Sequence, residues 1–280
     1  MICFRLLDTK DPAQPLADAV RALANEEASQ DTYEVEPTSF RHIPNAPFAY
    51  WVSESIRELF VTLPAFESEE RTAKQGLATA DDFRFVRSAW ETPVNQGEIE
   101  DRTWFHFAKG GSYSPFYADV FLKVNWRYGG NECKNYIISR YPYLNGNAGF
   151  VAKNTDYYFQ PGLTWPRRTQ SGLALRAMPK GCVFADKGPA LFHLSQSNDA
   201  LPHYLALTSS TPFKALVELQ MAFGSYEVGV IQRTVIPVKD DPRLPELATH
   251  AWQSKRKPDT ANLTSHAFIA PALAPKSKHI

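Results

Sequence analysis

The chain has 280 residues, 44% hydrophobic and 21% charged, with 21 prolines against 14 glycines and 13% aromatic residues. That balance excludes a disordered polymer, and the proline and aromatic load argues for a loop-rich architecture containing strands over a helical bundle. Lys and Arg total 30 and so do Asp and Glu, so overall charge by itself marks neither a nucleic-acid nor a membrane partner.

Taken in order, residues 2–7 read as a short buried strand, and residues 16–24 as an amphipathic helix through Leu16, Ala19, Val20 and Leu23. A strand opening at residue 2 without an earlier partner is how a chain cut from a longer one would begin. An acidic connection over 25–36 leads to residues 47–60, where Ala49, Val52, Ile56, Leu59 and Phe60 keep a helical period. Residues 67–74 form a charged joint, which sets the main boundary. Gly76, Thr79, Asp81 and Asp82 then punctuate a loop, and Phe83 and Phe85 alternate with Arg84 and Arg87 as on a half-buried strand.

The aromatic run Trp104-Phe105-His106-Phe107 is followed by Lys109-Gly110-Gly111-Ser112-Tyr113. Two glycines after a lysine let backbone N–H groups approach an anion closely. The phosphate-loop pattern GxxxxGK[ST] is absent, which argues against nucleotide binding there. Residues 120–126 suit a strand and residues 127–131 a turn.

The organising stretch is residues 157–192. It reads as two strands, 173–178 and 182–185, joined by a Pro179-Lys180-Gly181 turn and preceded by the loop Arg167-Arg168-Thr169-Gln170-Ser171-Gly172. Five basic residues (Arg167, Arg168, Arg176, Lys180, Lys187) stand there against one acid, Asp186. Arg and Gln at a loop tip can hydrogen-bond phosphate or base edges in two-pronged fashion; an exposed hairpin made soluble by Arg is the plain alternative.

Downstream, residues 205–208 read as a strand. Thr211 reads as a helix N-cap with Pro212 at the first helical position. Phe213, Leu216, Val217 and Met221 make that helix's apolar stripe, and Gly224 its end. Residues 227–238 suggest a strand, with Pro237 at a sheet edge or at the strand's end. A last helix over 244–257 ends in Lys255-Arg256-Lys257, where cations suit a helix C-terminus. The tail after Asp259 reads as loosely held.

Charge is unevenly divided. Residues 1–100 hold 9 Lys and Arg against 18 Asp and Glu, and residues 101–280 hold 21 against 12. The split suggests an acidic segment facing another protein and a basic one facing an anion. Cys3, Cys133 and Cys182 form no CxxC pair, and the seven histidines no HExxH pattern, so neither a disulfide framework nor a zinc site is indicated. With no apolar run of membrane length and an N-terminus charged too early for a signal peptide, a cytoplasmic protein is expected. Asp119 with Glu132 and Lys134 imitates the D…ExK spacing of Mg²⁺-dependent nucleases; solvated turn charges are the alternative. Tyr157, Tyr158 or Trp165 beside the basic loop could stack on a base, although aromatic residues are more often core.

Five runs, in order, carry a resemblance: QGLATADDFRFVR, WFHFAKGGSYSPFYADV, PGLTWPRRTQSGLALRAMPKGCVFADKG, FGSYEVGVIQRTVIPV and HAWQSKRKPDTANLTSHAF. Together they resemble the C-terminal part of large adenine-specific DNA methyltransferases, the BREX phage-exclusion enzymes and single-chain type IIG restriction–modification enzymes. The resemblance implies a mixed α/β target recognition domain, a twisted sheet with flanking helices, over residues 67–242. Residues 1–66 would be the end of a methyltransferase domain, and 243–280 a terminal helix and tail. In that family a preceding domain uses S-adenosylmethionine and an Asn-Pro-Pro-Tyr-type motif on a flipped adenine. This sequence has no such motif, so only the reading function carries over, with no cofactor, metal or catalytic residue of its own. The partners implied are double-stranded DNA and a methyltransferase domain or subunit. The residues expected to contact DNA are Arg167, Arg168, Thr169 and Gln170, then Lys109, Ser112, Thr79, Arg84 and Arg176. Two alternatives stand beside this reading: a partner-dependent assembly subunit or truncated fragment, and a cryptic nuclease built on Asp119, Glu132 and Lys134.

Overall fold

The structure, a computed structural model, describes residues 1–7, 9–93, 102–195, 200–221, 224–239 and 241–272. In chain order, β1 (Ile2–Phe4) precedes α1 (Ala13–Ala24), and β2 (Thr32–Glu34) returns antiparallel to β1 as a two-stranded ribbon. α2 (Glu54–Thr62) covers only the second half of the helix that spacing suggested. Residues 47–53 bury Ala49 and Val52 without helical geometry. α1 buries Ala19 but leaves Leu16, Val20 and Leu23 exposed.

The charged joint at 67–74 contains a strand, β3 (Arg71–Lys74). The alternating Phe83–Arg87 run splits into a helical turn, α3 (Asp82–Phe85), and a short strand, β4 (Val86–Ser88). Asp81 accepts from the Arg84 backbone N–H at 3.0 Å, and that cap selects the turn over the strand. β5 (Trp104–Ala108) takes up the aromatic run, for which no strand was expected, and β6 (Leu122–Asn125) lies within the strand expected at 120–126. The expected turn at 127–131 is present as three left-handed residues, Tyr128, Gly129 and Gly130, which open α4 (Arg127–Arg140).

The organising stretch is not a hairpin. β7 (Gly162–Thr164) pairs with β8 (Arg176–Met178), whereas β9 (Val183–Phe184) runs parallel to β5 in a different sheet. β10 (Ala190–His193) then enters the sheet of β3 and β7. Two four-stranded sheets result, in the orders β3-β10-β7-β8 and β4-β6-β5-β9. The fold is accordingly mixed α/β, with two four-stranded sheets and the β1-β2 ribbon among the described residues where one sheet was expected.

Residues 205–208 lie inside α5 (Ala200–Ser209), not in a strand. α6 (Thr211–Leu219) is capped one residue earlier than expected, by the Ser210 hydroxyl accepting from Phe213 N–H at 3.3 Å, and ends at Gln220 before Gly224. The expected strand at 227–238 is instead α7 (Val228–Arg233); only Val235 pairs as a strand, bridging to Ala65. α8 (Leu244–Arg256) agrees with its pattern.

Alternation along β10 shows how the layers stack. Leu191 packs with Leu163, Leu205, Val217 and Ile231 under the helices α5 to α8, whereas Ala190 and Phe192 pack with Phe107, Val124 and Ile137 of the other sheet and α4. The β3-β10-β7-β8 sheet is therefore buried on both faces.

The tail after Asp259 is anchored at residues 265–267 and exposed over residues 269–272, and residues 273–280 lie outside the described ones. Ser265 and Ala267 are buried, and Asp119 holds the segment. Its Oδ1 accepts from Ser265 Oγ at 2.8 Å and from His266 N–H at 3.0 Å, with His266 Nδ1 against the same carboxylate. Desolvation acts to raise the Asp119 pKa, but the hydrogen bonds from His266 and Ser265 outweigh it and hold the carboxyl below its ordinary value.

A Cβ on Gly76 would lie 2.0 Å from the Phe184 carbonyl oxygen, so Gly76→Ala should cost roughly 1–3 kcal/mol, read as a lower urea midpoint at unchanged slope. Asp119→Asn should also destabilise the fold near neutrality. Because the folded-state pKa is depressed, the carboxylate's contribution is present above about pH 4 and fades as pH falls through the folded value. Urea midpoints of the two proteins should therefore converge in acid, and a gap independent of pH between 3 and 6 would sink this account.

Candidate nucleic-acid interface

Three loops meet at one edge of the two sheets: residues 109–112 after β5, residues 165–172 after β7, and residues 185–189 between β9 and β10. Backbone contacts fix them. Ala185 N–H donates to Ala108 O at 3.0 Å, Arg167 N–H to Lys187 O at 3.0 Å, and Thr164 Oγ1 to Pro189 O at 2.9 Å. Gly110 sits at φ +83°, and a Cβ there would lie 2.4 Å from Lys187 O, so only glycine fits this approach. A fourth segment joins from below. Trp165, fully buried, donates Nε1–H to Tyr226 O at 2.9 Å, and Tyr226 N–H donates to Arg167 O at 2.7 Å.

Within this frame the expected contact residues take different parts. Arg168 and Gln170 are exposed at the loop tip, with Arg168 bridged through its backbone to Ser225. Thr169 is half-buried and its Oγ1 accepts from Ser171 N–H at 3.0 Å, shaping the tip. Arg167 is drawn inward between Asp186 (3.9 Å) and Glu227 (3.4 Å), where it clamps two segments together. Arg176 is 4% exposed on β8, and its guanidinium donates to Ser112 O at 2.9 Å and to Gly110 O, so it holds the glycine turn from behind. Ser112 is exposed at that turn.

Lys109 is paired with Asp82, whose other oxygen accepts from Thr79 Oγ1 at 2.6 Å. Burial acts to raise the Asp82 pKa, but the bonds from Lys109 and Thr79 prevail and lower it. Thr79, 4% exposed, thus positions Asp82 instead of facing outward. Arg84 stands apart, bound to Glu132 at 2.9 Å and lying over the rings of Phe85 and Tyr136.

A cavity of about 240 Å³ opens between the loops, lined by Lys109, Gly110, Gly111, Thr164, Arg176 and Lys187 among others. Lys187, one of the five basic residues of the 157–192 stretch, was not among the expected contact residues. Its signal was the Lys-Gly pair at 187–188, which repeats Lys109-Gly110. Lys255, also not selected, donates to Ser114 Oγ and Pro115 O, each at 2.9 Å, across the loop that follows.

Other chemistry is not assembled. Asp119 is taken by Ser265 and His266, Glu132 by Arg84 and Asn125, and Lys134 lies over the Trp126 ring. The nuclease constellation is therefore dispersed, and among the described residues no group of three or more His, Cys, Asp or Glu is placed to hold a metal. Tyr158 and Trp165 are core residues. The three cysteines are buried and unpaired, and burial pushes Cys133 and Cys182 up to about 12. No helix among the described residues is long and apolar enough to cross a membrane.

No family model matches the chain. Over 233 residues, 80% of its length, it is 24% identical to adenine-specific methyltransferase PglX of Lacticaseibacillus casei (strain Zhang). Over 218 residues, 76% of its length, it is 28% identical to adenine-specific methyltransferase BrxX of Escherichia coli O9:H4 (strain HS). These matches cover 19% and 16% of the two proteins, so the chain spans less than a fifth of the curated relatives it matches. The chain is thus distantly similar to two adenine-specific methyltransferases, over a small part of their length.

Proposed function

We propose that this chain is the DNA-reading module of an adenine-specific methyltransferase system of the BREX kind, without catalysis of its own. The observation that carries the reading is the convergence of the 109–112, 165–172 and 185–189 loops on one edge, in the basic part of a chain related to such enzymes. On this reading, Lys and Arg contacts to phosphate supply affinity and the exposed tip, Arg168 and Gln170, reads base edges. S-adenosylmethionine belongs to the methyltransferase domain with which the module works.

A second observation supports that partner. The exposed Leu16, Val20 and Leu23 of α1 form a stripe of helical spacing, and Phe48, Trp51 and Ile56 line an apolar groove in the same N-terminal segment. Residues 1–66 would pack there against a methyltransferase domain, in the same chain or a separate one. Leu16→Glu with Val20→Glu, at exposed positions, should change stability by no more than about 0.5 kcal/mol yet abolish co-elution with a methyltransferase domain supplied in trans. Retained co-elution would remove this surface from the interface.

The DNA reading is tested by anisotropy titration of a random-sequence duplex at two salt concentrations. Wild type should bind weakly and lose affinity steeply with salt, and Arg168→Ala/Gln170→Ala should bind more weakly with a shallower salt slope, by about one. Absence of binding at low salt would overturn the reading.

A further inference from the structure

We propose that the cavity between the glycine turn and β8 is a phosphate site that seats one phosphodiester of the DNA backbone, with Arg176 and Lys187 as its cations. The proposal rests on the DNA-reading function and names the place where one backbone contact is made.

Arg176 is the first reason. A guanidinium removed from water requires an anion or a full set of acceptors. Arg176 has two carbonyl oxygens, Gly110 O and Ser112 O, and makes no ion pair among the described residues. Burial alone lowers its pKa to about 10, with no neighbouring carboxylate opposing the shift. Its charge reaches Lys255, which is shifted downward by desolvation and then by Arg176.

The other charges at the cavity are already disposed of or are cationic. Asp119 lines it, but its carboxylate is engaged by Ser265 and His266. Lys109 is neutralised by Asp82. Lys187 is exposed at the rim and forms no ion pair among the described residues. The cavity thus carries two cations that make no ion pair among the described residues, Lys187 being coupled to the Asp82 carboxylate only at longer range.

The turn supplies a donor. Gly110 and Gly111 have φ +83° and +103°, and neither N–H makes a hydrogen bond among the described residues. Gly110 N lies against Gly188, where an added Cβ would come within 2.3 Å of it, so the unbonded Gly111 N–H is the donor the turn can offer. At Gly111 the nearest atom to an added Cβ would be an Arg176 guanidinium nitrogen, at 3.8 Å, so a ligand meets no side chain there other than the cation that would bind it.

The same oxyanion could come from a nucleic-acid backbone or from free phosphate, and the test separates them. Duplex titrations across salt would compare wild type with Lys187→Ala, at an exposed position, and with Arg176→Lys, which keeps the charge. In parallel, thermal unfolding without DNA would be followed in inorganic phosphate and in chloride of equal ionic strength. Lys187→Ala should lower the slope of log K against log salt by about one and weaken low-salt binding by roughly tenfold. Arg176→Lys should bind more weakly than wild type, and phosphate should raise the wild-type melting temperature but not that of Lys187→Ala. If wild type binds DNA and Lys187→Ala binds with the same slope and affinity, the site is overturned while DNA reading stands. If wild type binds no DNA but phosphate still stabilises it through Lys187, DNA reading fails and the cavity is a free-phosphate site. Neither DNA binding nor phosphate stabilisation would overturn both.

Discussion

The structure depends on two chain segments that cross together from one sheet to the other. Residues 71–77 leave β3 and run to Leu77, which bridges to Ala185, while residues 183–193 supply β9 to one sheet and β10 to the other. Leu77 N–H donates to Phe184 O at 2.9 Å, and Asp186 N–H to Leu77 O at 3.0 Å. The crossing is dry: Leu77, Val183, Phe184, Ala185, Ala190 and Leu191 are fully buried. Unpaired polar groups are costly there, so every backbone group in the crossing must find a partner, and that demand fixes the register of both sheets. It also leaves no room for side chains at the closest approaches, which is why Gly76 and Gly188 stand where they do.

The loop cluster at the sheet edge follows from the same crossing. Residues 185–189 must turn sharply between two strands in different sheets, and that turn presents Lys187 O to both Arg167 and the Gly110 turn. Functional loops carried on a rigid scaffold keep their shape without a ligand. Here Arg176 secures the glycine turn from β8, and Arg167 ties the second loop to Asp186 and Glu227. The cationic side chains therefore divide into fasteners, Arg167 and Arg176, the second of which also lines the cavity, and outward groups, Arg168 and Lys187.

That division is what the sequence could not display. Residue type placed Arg167, Arg168 and Arg176 in one basic stretch, correctly, but burial depends on partners such as Glu227 that lie far along the chain. Elements with a strong local signature were legible: α8 from its period and terminal cations, β6 from its apolar run. Elements decided by tertiary context were not. The β-branched run Val228–Ile231 suggested a strand, yet Val230 and Ile231 are buried together on a short helix. The Pro179-Lys180-Gly181 turn is present, with Gly181 at φ +90°, but its flanking strands diverge into separate sheets instead of pairing. A turn sequence specifies a reversal and not the partner that each arm takes. At Asp119 a spacing that imitated metal chemistry proved to be a hook for residues 265–266.

The tandem crossing has a kinetic corollary. Its contacts join segments far apart in the chain, as does the Gln232 side chain, whose amide donates to Ala73 O across 159 residues. Neither sheet can close until both ends of a long intervening stretch have been brought together, and chains rich in such contacts fold slowly. Unpaired strand edges stay exposed in the meantime and invite aggregation. Cleavage anywhere between Leu77 and Val183 would leave each fragment with strands that lack their neighbours, so these sheets live or die as one cooperative unit.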